Sequence, residues 1–335
     1  MVRRSTVSVS PRSFSCHSMP ELPEVETMCR GIAPAVGGRI RDLRRPRSRL
    51  QPIKISPRLS DFRRRVVGRR IVAVGRMGKR VVVSLEGGDR VVFEPRMTGL
   101  VLPAHPPETQ HLRLVFELSG QRHPARGKGD SPHLPERPAT NLRSVPGSAQ
   151  MGTVPLSPRQ LLFWDRRGLG VVRLLSPGEF DRECGPQKLG PDALEISPQT
   201  LAERLGASRR AIKVALLDQR ALAGVGNLYA SEILHRARIH PQRTCASLRP
   251  AEWLSLHAAM REVLQEAILH QGSTLRDGTY RVARNRPGSA QILHRVYQRA
   301  GQGCLQCGQG QIVRIVQVQR STFFCPVCQR KKRGR

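Results

Sequence analysis

Acidic residues are scarce in this chain: 25 Asp and Glu stand against 57 Lys and Arg, a formal charge of +32 over 335 residues. A field of that sign attracts polyanions and hastens encounter with them, so nucleic acid leads the possible partners. A ribosomal-type basic protein would share this balance. No apolar run approaches the length of a membrane-spanning helix, and neither a lipidation motif nor a long basic amphipathic helix is present. A membrane partner is therefore not expected. A disulfide framework is also missing. Of eight cysteines, Cys16, Cys29, Cys184 and Cys245 stand singly, and Cys304, Cys307, Cys325 and Cys328 form two close pairs. That spacing suits a metal in a reducing compartment.

Residues 1–18 hold three Arg and six Ser, no acid, and no apolar stretch of signal-peptide length. They read as upstream sequence or as an organellar transit segment. From Pro20 the text becomes PELPEVETMCRGIAPAV. Leu22, Val25, Cys29 and Ile32 recur at helical spacing, with Pro and Glu in the first turn and Gly37-Gly38 as the expected stop. Between about 66 and 102, Val/Ile-rich runs broken by glycines predict strands, and another is expected over 111–118. Residues 120–160 carry seven prolines and no periodicity, the texture of a disordered insertion. Strands resume over 161–175. Helices are expected near 198–205, 209–217, 227–237 and 251–270.

Two CxxC hooks, Cys304/Cys307 and Cys325/Cys328, are separated by 17 residues that include an alternating IVRIVQVQ run. Four thiolates so spaced fit one structural Zn²⁺, with a DNA contact through Arg314, Arg320 and the basic tail. In LLDQRALAGVGNLYASE, Gly224 and Gly226 precede a helix with Asn227 expected at its N-cap, and free amides there suit a phosphate. Pro20 follows Met19. If that Met is trimmed, a secondary amine is exposed beside the carboxylic acid Glu21, a pairing suited to imine formation with proton transfer. Alone, Pro-Glu at a helix start is also ordinary capping.

PELPEVET, MGKR, MTG, DRRGLG, IKVALLDQ, GVGNLYASE and CLQC…QRSTFFCPVC occur in that order, and the chain resembles the formamidopyrimidine-DNA glycosylase family over about 20–118 and 161–330. The resemblance implies an α+β protein. An N-terminal β-sandwich domain with a leading helix (20–180, with the insertion at about 120–160) would be followed by a helix–two-turn–helix domain (190–298), a four-cysteine zinc finger (299–330) and a basic tail (331–335). Residues 1–19 would be a leader absent from the mature protein. By the same resemblance Pro20 is the nucleophile and Glu21 the proton donor and acceptor. Lys79 and Arg320 assist β- and δ-elimination. His111, Arg167, Lys213, Asn227 and, more loosely, Arg209 contact the DNA backbone. Met97 fills the space of the flipped nucleotide. Gly168 and Leu169 stand where the family usually has Arg and a Phe wedge.

The implied activity is excision of oxidised purines from duplex DNA with strand cleavage at the lesion, by a monomer holding one Zn²⁺. The setting would be a bacterial cytoplasm and nucleoid, or an organelle if 1–18 are a transit segment. The alternatives are an oxidised-pyrimidine glycosylase of the same family and a catalytically dead DNA-binding relative. If residues 1–19 stay attached, Pro20 has an amide nitrogen and cannot attack.

Overall fold

The computed structural model describes residues 20–119, 143–144, 158–275 and 277–331. The leader, nearly all of the 120–160 insertion and residues 332–335 lie outside them. Helix α1 (Leu22–Ile32) buries Leu22, Val25, Met28, Cys29 and Ile32 along one stripe. It ends at Ile32, earlier than Gly37-Gly38, because Pro34 opens a 3₁₀ turn over Ala33–Ala35. Gly37, at φ 88°, then redirects the chain into strand β1 (Arg39–Arg44).

After β2 (Lys54–Ser56) comes a helix that the periodicity did not suggest, α2 (Leu59–Val66), which buries only Phe62 and Val66. The strands that follow are β3 (Ile71–Met77), β4 (Arg80–Leu85), β5 (Arg90–Glu94), β6 (Gly99–Leu102), β7 (Leu112–Ser119), β8 (Arg143–Ser144), β9 (Gln160–Asp165) and β10 (Val171–Leu175). They form two sheets, ordered β1-β7-β9-β6 and β2-β10-β5-β4-β3-β8. Apolar side chains from both, including Leu100, Phe116 and Phe163 of one and Val81, Val91 and Phe93 of the other, fill one core with the inner face of α1. This is the expected sandwich. Within the insertion, residues 143–144 pair with Arg76 and Gly75 of β3, so that short piece is ordered against the sheet edge.

The second half is helical: α3 (Pro177–Cys184), α4 (Pro198–Leu205), α5 (Ile212–Leu216), α6 (Asn227–Arg236) and α7 (Pro250–Leu269). Helix α5 starts three residues later than expected, with Ala211 still extended at its N-cap. The hairpin β11 (Val313–Gln317) and β12 (Arg320–Phe324) closes the fold. Ile312, Phe323, Cys304 and Cys325 of this module share one core with α4–α7, and Leu22 of α1 joins it. In return, Tyr280 and Val282, beyond α7, enter the sandwich core. Helix α1 thus belongs to both halves. No described helix is long and apolar enough to cross a membrane.

Candidate active site and nucleic-acid interface

Pro20 is buried at the entry to α1, and Glu21 beside it is 2 % exposed. The Glu21 carboxylate accepts the amides of Leu228 (2.9 Å) and Tyr229 (3.3 Å) at the start of α6. The N-cap of α6 is Gly226, one residue before the expected Asn227. These amides, expected to be free for a phosphate, are occupied by a carboxylate from the other half of the protein. Two glycines make the approach possible. A Cβ on Gly226 would lie 2.2 Å from Glu21 Cδ, and one on Gly224, already at φ +106°, would lie 2.5 Å from Leu22 Cδ1. The Leu22 amide donates to Gly224 O at 3.1 Å. Burial pushes the Glu21 pKa up, opposed by the charge of Lys79 and by the amides it accepts.

Lys79 sits half-buried in the turn between β3 and β4. Burial pulls its pKa down, Glu21 acts in the opposite direction, and the charge of Arg320 adds to the lowering. The structure therefore brings Glu21, Lys79 and Arg320 within electrostatic reach of one another. Arg76, buried in β3, anchors this turn: its guanidinium donates to Gly78 O (3.2 Å), Glu26 Oε2 (3.0 Å) and both carboxylate oxygens of Asp192. Glu26 is on α1 and Asp192 belongs to the helical half, so one cation ties three parts together.

Glu24 is buried one turn into α1. It accepts the Glu21 amide (2.9 Å), the Ser273 amide (2.8 Å) and the Tyr229 hydroxyl (2.6 Å). Its pKa is pushed up to about 7, first by burial and then by the charge of Glu21. Pro20, Glu24, Met97, Thr98, Ser273 and Thr279 line a pocket between the sandwich and the loop after α7.

Two loops meet at Met97 and Thr98 of this lining. Met97 lies in the β5–β6 turn, where its sulfur accepts Arg167 Nη1 at 3.1 Å. Asp165 organises the DRRGLG loop: it accepts the Thr98 hydroxyl and the amides of Arg167 (3.2 Å) and Gly170 (2.7 Å). Gly168 is left-handed at φ +69°, and a Cβ there would fall 2.8 Å from Gln51 O. Leu169 projects with 44 % exposure. His111 approaches Glu108 (3.1 Å) and meets the Trp164 ring edge-on, and its Nδ1 has no partner among the described residues.

Lys213 is buried, not displayed. Its ammonium donates to Asn227 Oδ1 (2.7 Å), Ser321 O (3.0 Å) and Thr322 Oγ1 (2.7 Å), fastening β12 to the start of α6. Arg209 is exposed before α5, and Arg320 is exposed at the start of β12. The sulfurs of Cys304, Cys307, Cys325 and Cys328 all lie within 4.8 Å of one another. The Cys304–Cys328 and Cys307–Cys325 separations are both 3.8 Å. A tetrahedron with metal–sulfur bonds of about 2.3 Å has edges of about 3.8 Å, so the four thiols fit a zinc ion.

Family models for the formamidopyrimidine-DNA glycosylase N-terminal domain and H2TH domain match residues 19–126 and 189–279. The chain belongs to the formamidopyrimidine-DNA glycosylase family. It is 39% identical to the Chloroflexus aurantiacus formamidopyrimidine-DNA glycosylase over 318 residues, covering 93% of this chain and 98% of that one. The Thermomicrobium roseum relative is 40% identical over 315 residues, covering 93% and 99%. Among solved structures, MutM (Fpg) from Thermus thermophilus aligns with a TM-score of 0.72 at 34% identity, over 94% of this chain and all of that one. Lactococcus lactis Fpg in complex with abasic-site DNA aligns at 0.71 and 26%, over 93% and 100%.

Within this formamidopyrimidine-DNA glycosylase fold, sequence reasoning did not single out Glu24, Arg76, Asp165, Tyr229 or Ser273. The PELPE spacing could have flagged Glu24, because an acid three residues into a helix reaches back to the N-cap amide. Nothing local marks Arg76, whose acidic partners lie 50 and 116 residues away.

Proposed function

We propose that the protein is a bifunctional DNA glycosylase and AP lyase that excises oxidised purines, 8-oxoguanine and formamidopyrimidines, from duplex DNA. The observation that carries this reading is the buried Glu21 carboxyl, set beside Pro20 and held by the amides of Leu228 and Tyr229. A carboxyl whose pKa is raised by burial is suited to protonate the departing base, then to accept a proton later in the cycle. The Pro20 nitrogen attacks C1′, the base leaves, and an iminium links Pro20 to the opened sugar. Loss of a C2′ proton expels the 3′ phosphate, and a second elimination expels the 5′ phosphate. Lys79, its charge eased by burial, assists the first elimination, and Arg320 grips the phosphate of the second.

Met97 and Leu169 fill the space left when the lesion leaves the stack, and Arg167, donating to the Met97 sulfur, reaches the backbone beside them. His111, Arg209 and Asn227 meet backbone phosphates, and Lys213 acts from beneath by fixing Asn227 and the hairpin. A structural Zn²⁺ on Cys304, Cys307, Cys325 and Cys328 holds the finger. We assign the catalytic sandwich to 20–180, the helical domain to 190–298 and the finger to 299–330. The protein acts as a monomer in the bacterial cytoplasm and nucleoid.

The test is borohydride trapping on an 8-oxoguanine duplex with a chain beginning at Pro20. A covalent adduct is expected there and not when residues 1–19 remain attached. Equal trapping by both would sink Pro20 as the nucleophile, and a stronger response to oxidised pyrimidines would overturn the lesion assignment.

A further inference from the structure

A second cavity, of about 470 Å³, opens behind the active site, between α6, α7, the 290–295 segment and the finger. Its rim residues Leu305 and Gln306 are exposed, so it reaches solvent. Tyr229 and His294 both line it. A continuous file of polar contacts joins it to the active-site pocket. His294 Nε2 is 3.0 Å from Ser273 Oγ, Ser273 Oγ is 3.2 Å from the Tyr229 hydroxyl, and that hydroxyl donates to Glu24 at 2.6 Å. Glu24 shares the front pocket with Pro20.

We propose that Glu24, Tyr229, Ser273 and His294 form a proton relay that carries the proton of the Pro20 ammonium out through the rear cavity. This rests on the lyase reading, in which DNA fills the front pocket and the amine must lose its proton there before it can attack. The N–H bond of the ammonium breaks, and the proton joins a Glu24 carboxylate oxygen, freeing the nitrogen pair. Once protonated Glu24 no longer accepts from Tyr229, the Tyr229 and Ser273 hydroxyls turn toward His294, and Glu24 passes its proton to the Tyr229 oxygen as the Tyr229 hydrogen moves to Ser273 Oγ and the Ser273 hydrogen to His294 Nε2. The imidazolium releases its Nδ1 proton to solvent, and the file resets when the two hydroxyls rotate and His294 exchanges protons with solvent to return to the Nδ1–H tautomer. Each link gains one proton and loses one.

The ends of the file are matched to this direction. Glu24, with its pKa near 7, can hold or yield a proton at neutral pH, and burial pulls His294 down to about 4, so it is a neutral acceptor that does not retain its charge. The groups around His294 are the Tyr297 ring edge-on and Arg295 on its own segment. Across the cavity stand Glu232, His235 and Arg236 of α6 and Glu266 of α7. Glu232 is occupied by the amides of Arg295, Val296 and Tyr297, and Arg236 pairs with Glu266. Tyr229, Ser273 and His294 do not touch the reacting atoms and act only through Glu24.

The experiment measures borohydride-trapping rates on a preformed abasic-site duplex, from about pH 6 to about pH 9, for the chain beginning at Pro20. Tyr229→Phe and His294→Ala should each trap about 10–100-fold more slowly near neutrality, with the deficit shrinking as rising pH deprotonates the amine directly. Imidazole, small enough for the rear cavity, should restore His294→Ala and not Tyr229→Phe. Binding to a non-cleavable tetrahydrofuran duplex should match the parent, which separates a relay defect from misfolding. An unchanged pH profile, a loss equal at every pH, or failure of imidazole rescue would each overturn the relay. Absence of any adduct with the parent chain would overturn the lyase reading itself.

Discussion

At the scale of single residues, the site depends on a missing side chain. Gly226 lets the Glu21 carboxyl seat under the α6 N-terminus, and a Cβ there would sit 2.2 Å from Glu21 Cδ. Gly226→Ala should therefore displace the carboxyl and cut single-turnover base excision by about 100-fold, because a misplacement of about 1 Å in a reacting group costs about that much. Circular dichroism and zinc content should stay at parental values; parental excision would show the carboxyl has no such role. Glu24 gives a pH-dependent counterpart. Its pKa is raised from 4.5 to about 7 on folding, so the folded state binds this proton more tightly than the unfolded chain. The resulting stabilisation, of the order of 3 kcal/mol, is full below about pH 4.5 and lost as pH rises through about 7. Thermal melts of Glu24→Gln should show a weaker decline over that interval than the parent. Parallel declines would place the titration elsewhere.

At the scale of elements, Lys213 fastens the β11–β12 hairpin to the helical half. Lys213→Met leaves Ser321 O and buried Thr322 Oγ1 without the ammonium, at a cost of about 2 kcal/mol, readable as a lower urea midpoint. Arg209→Ala, at an exposed position, should leave the midpoint unchanged and reduce the salt slope of DNA binding by about 1. Equal midpoints for the two variants would contradict the tether. Elements with strong periodic patterns were legible in the sequence: α4 begins and ends where its capping Ser197 and its apolar spacing place it. Helix α2 was not, because only Phe62 and Val66 turn inward and its three consecutive arginines read as a solvated run. The candidate site shows the same division. Residues within short motifs, such as Glu21 and Lys79, could be read in order along the chain. Glu24, Ser273 and Arg76 acquire their meaning from partners brought together only by folding, which no local pattern records.

For the whole molecule, the finger and the helical half share one hydrophobic core. Cys304, Cys325, Ile312 and Phe323 pack in the same core as α4–α7. Stripping the metal with a chelator should therefore lower the unfolding temperature of the entire helical half, not only release the terminal hairpin. A melt in which only the hairpin signals change would show the two to be independent. The excess of cations in the chain should make duplex binding fall steeply with salt, whatever the lesion.

The hydrogen bond from the Leu228 amide to Glu21 joins residues 207 positions apart. A ribosome delivers Pro20 and Glu21 early and their restraining amides only after roughly two-thirds of the polypeptide has been made, and domains fold largely in the order in which they emerge. An unfinished chain can therefore carry the proposed nucleophile without the clamp that directs its neighbouring acid. On the proposed function, a cationic fragment stalled during translation would meet nucleic acid without the clamped acid needed to cut it.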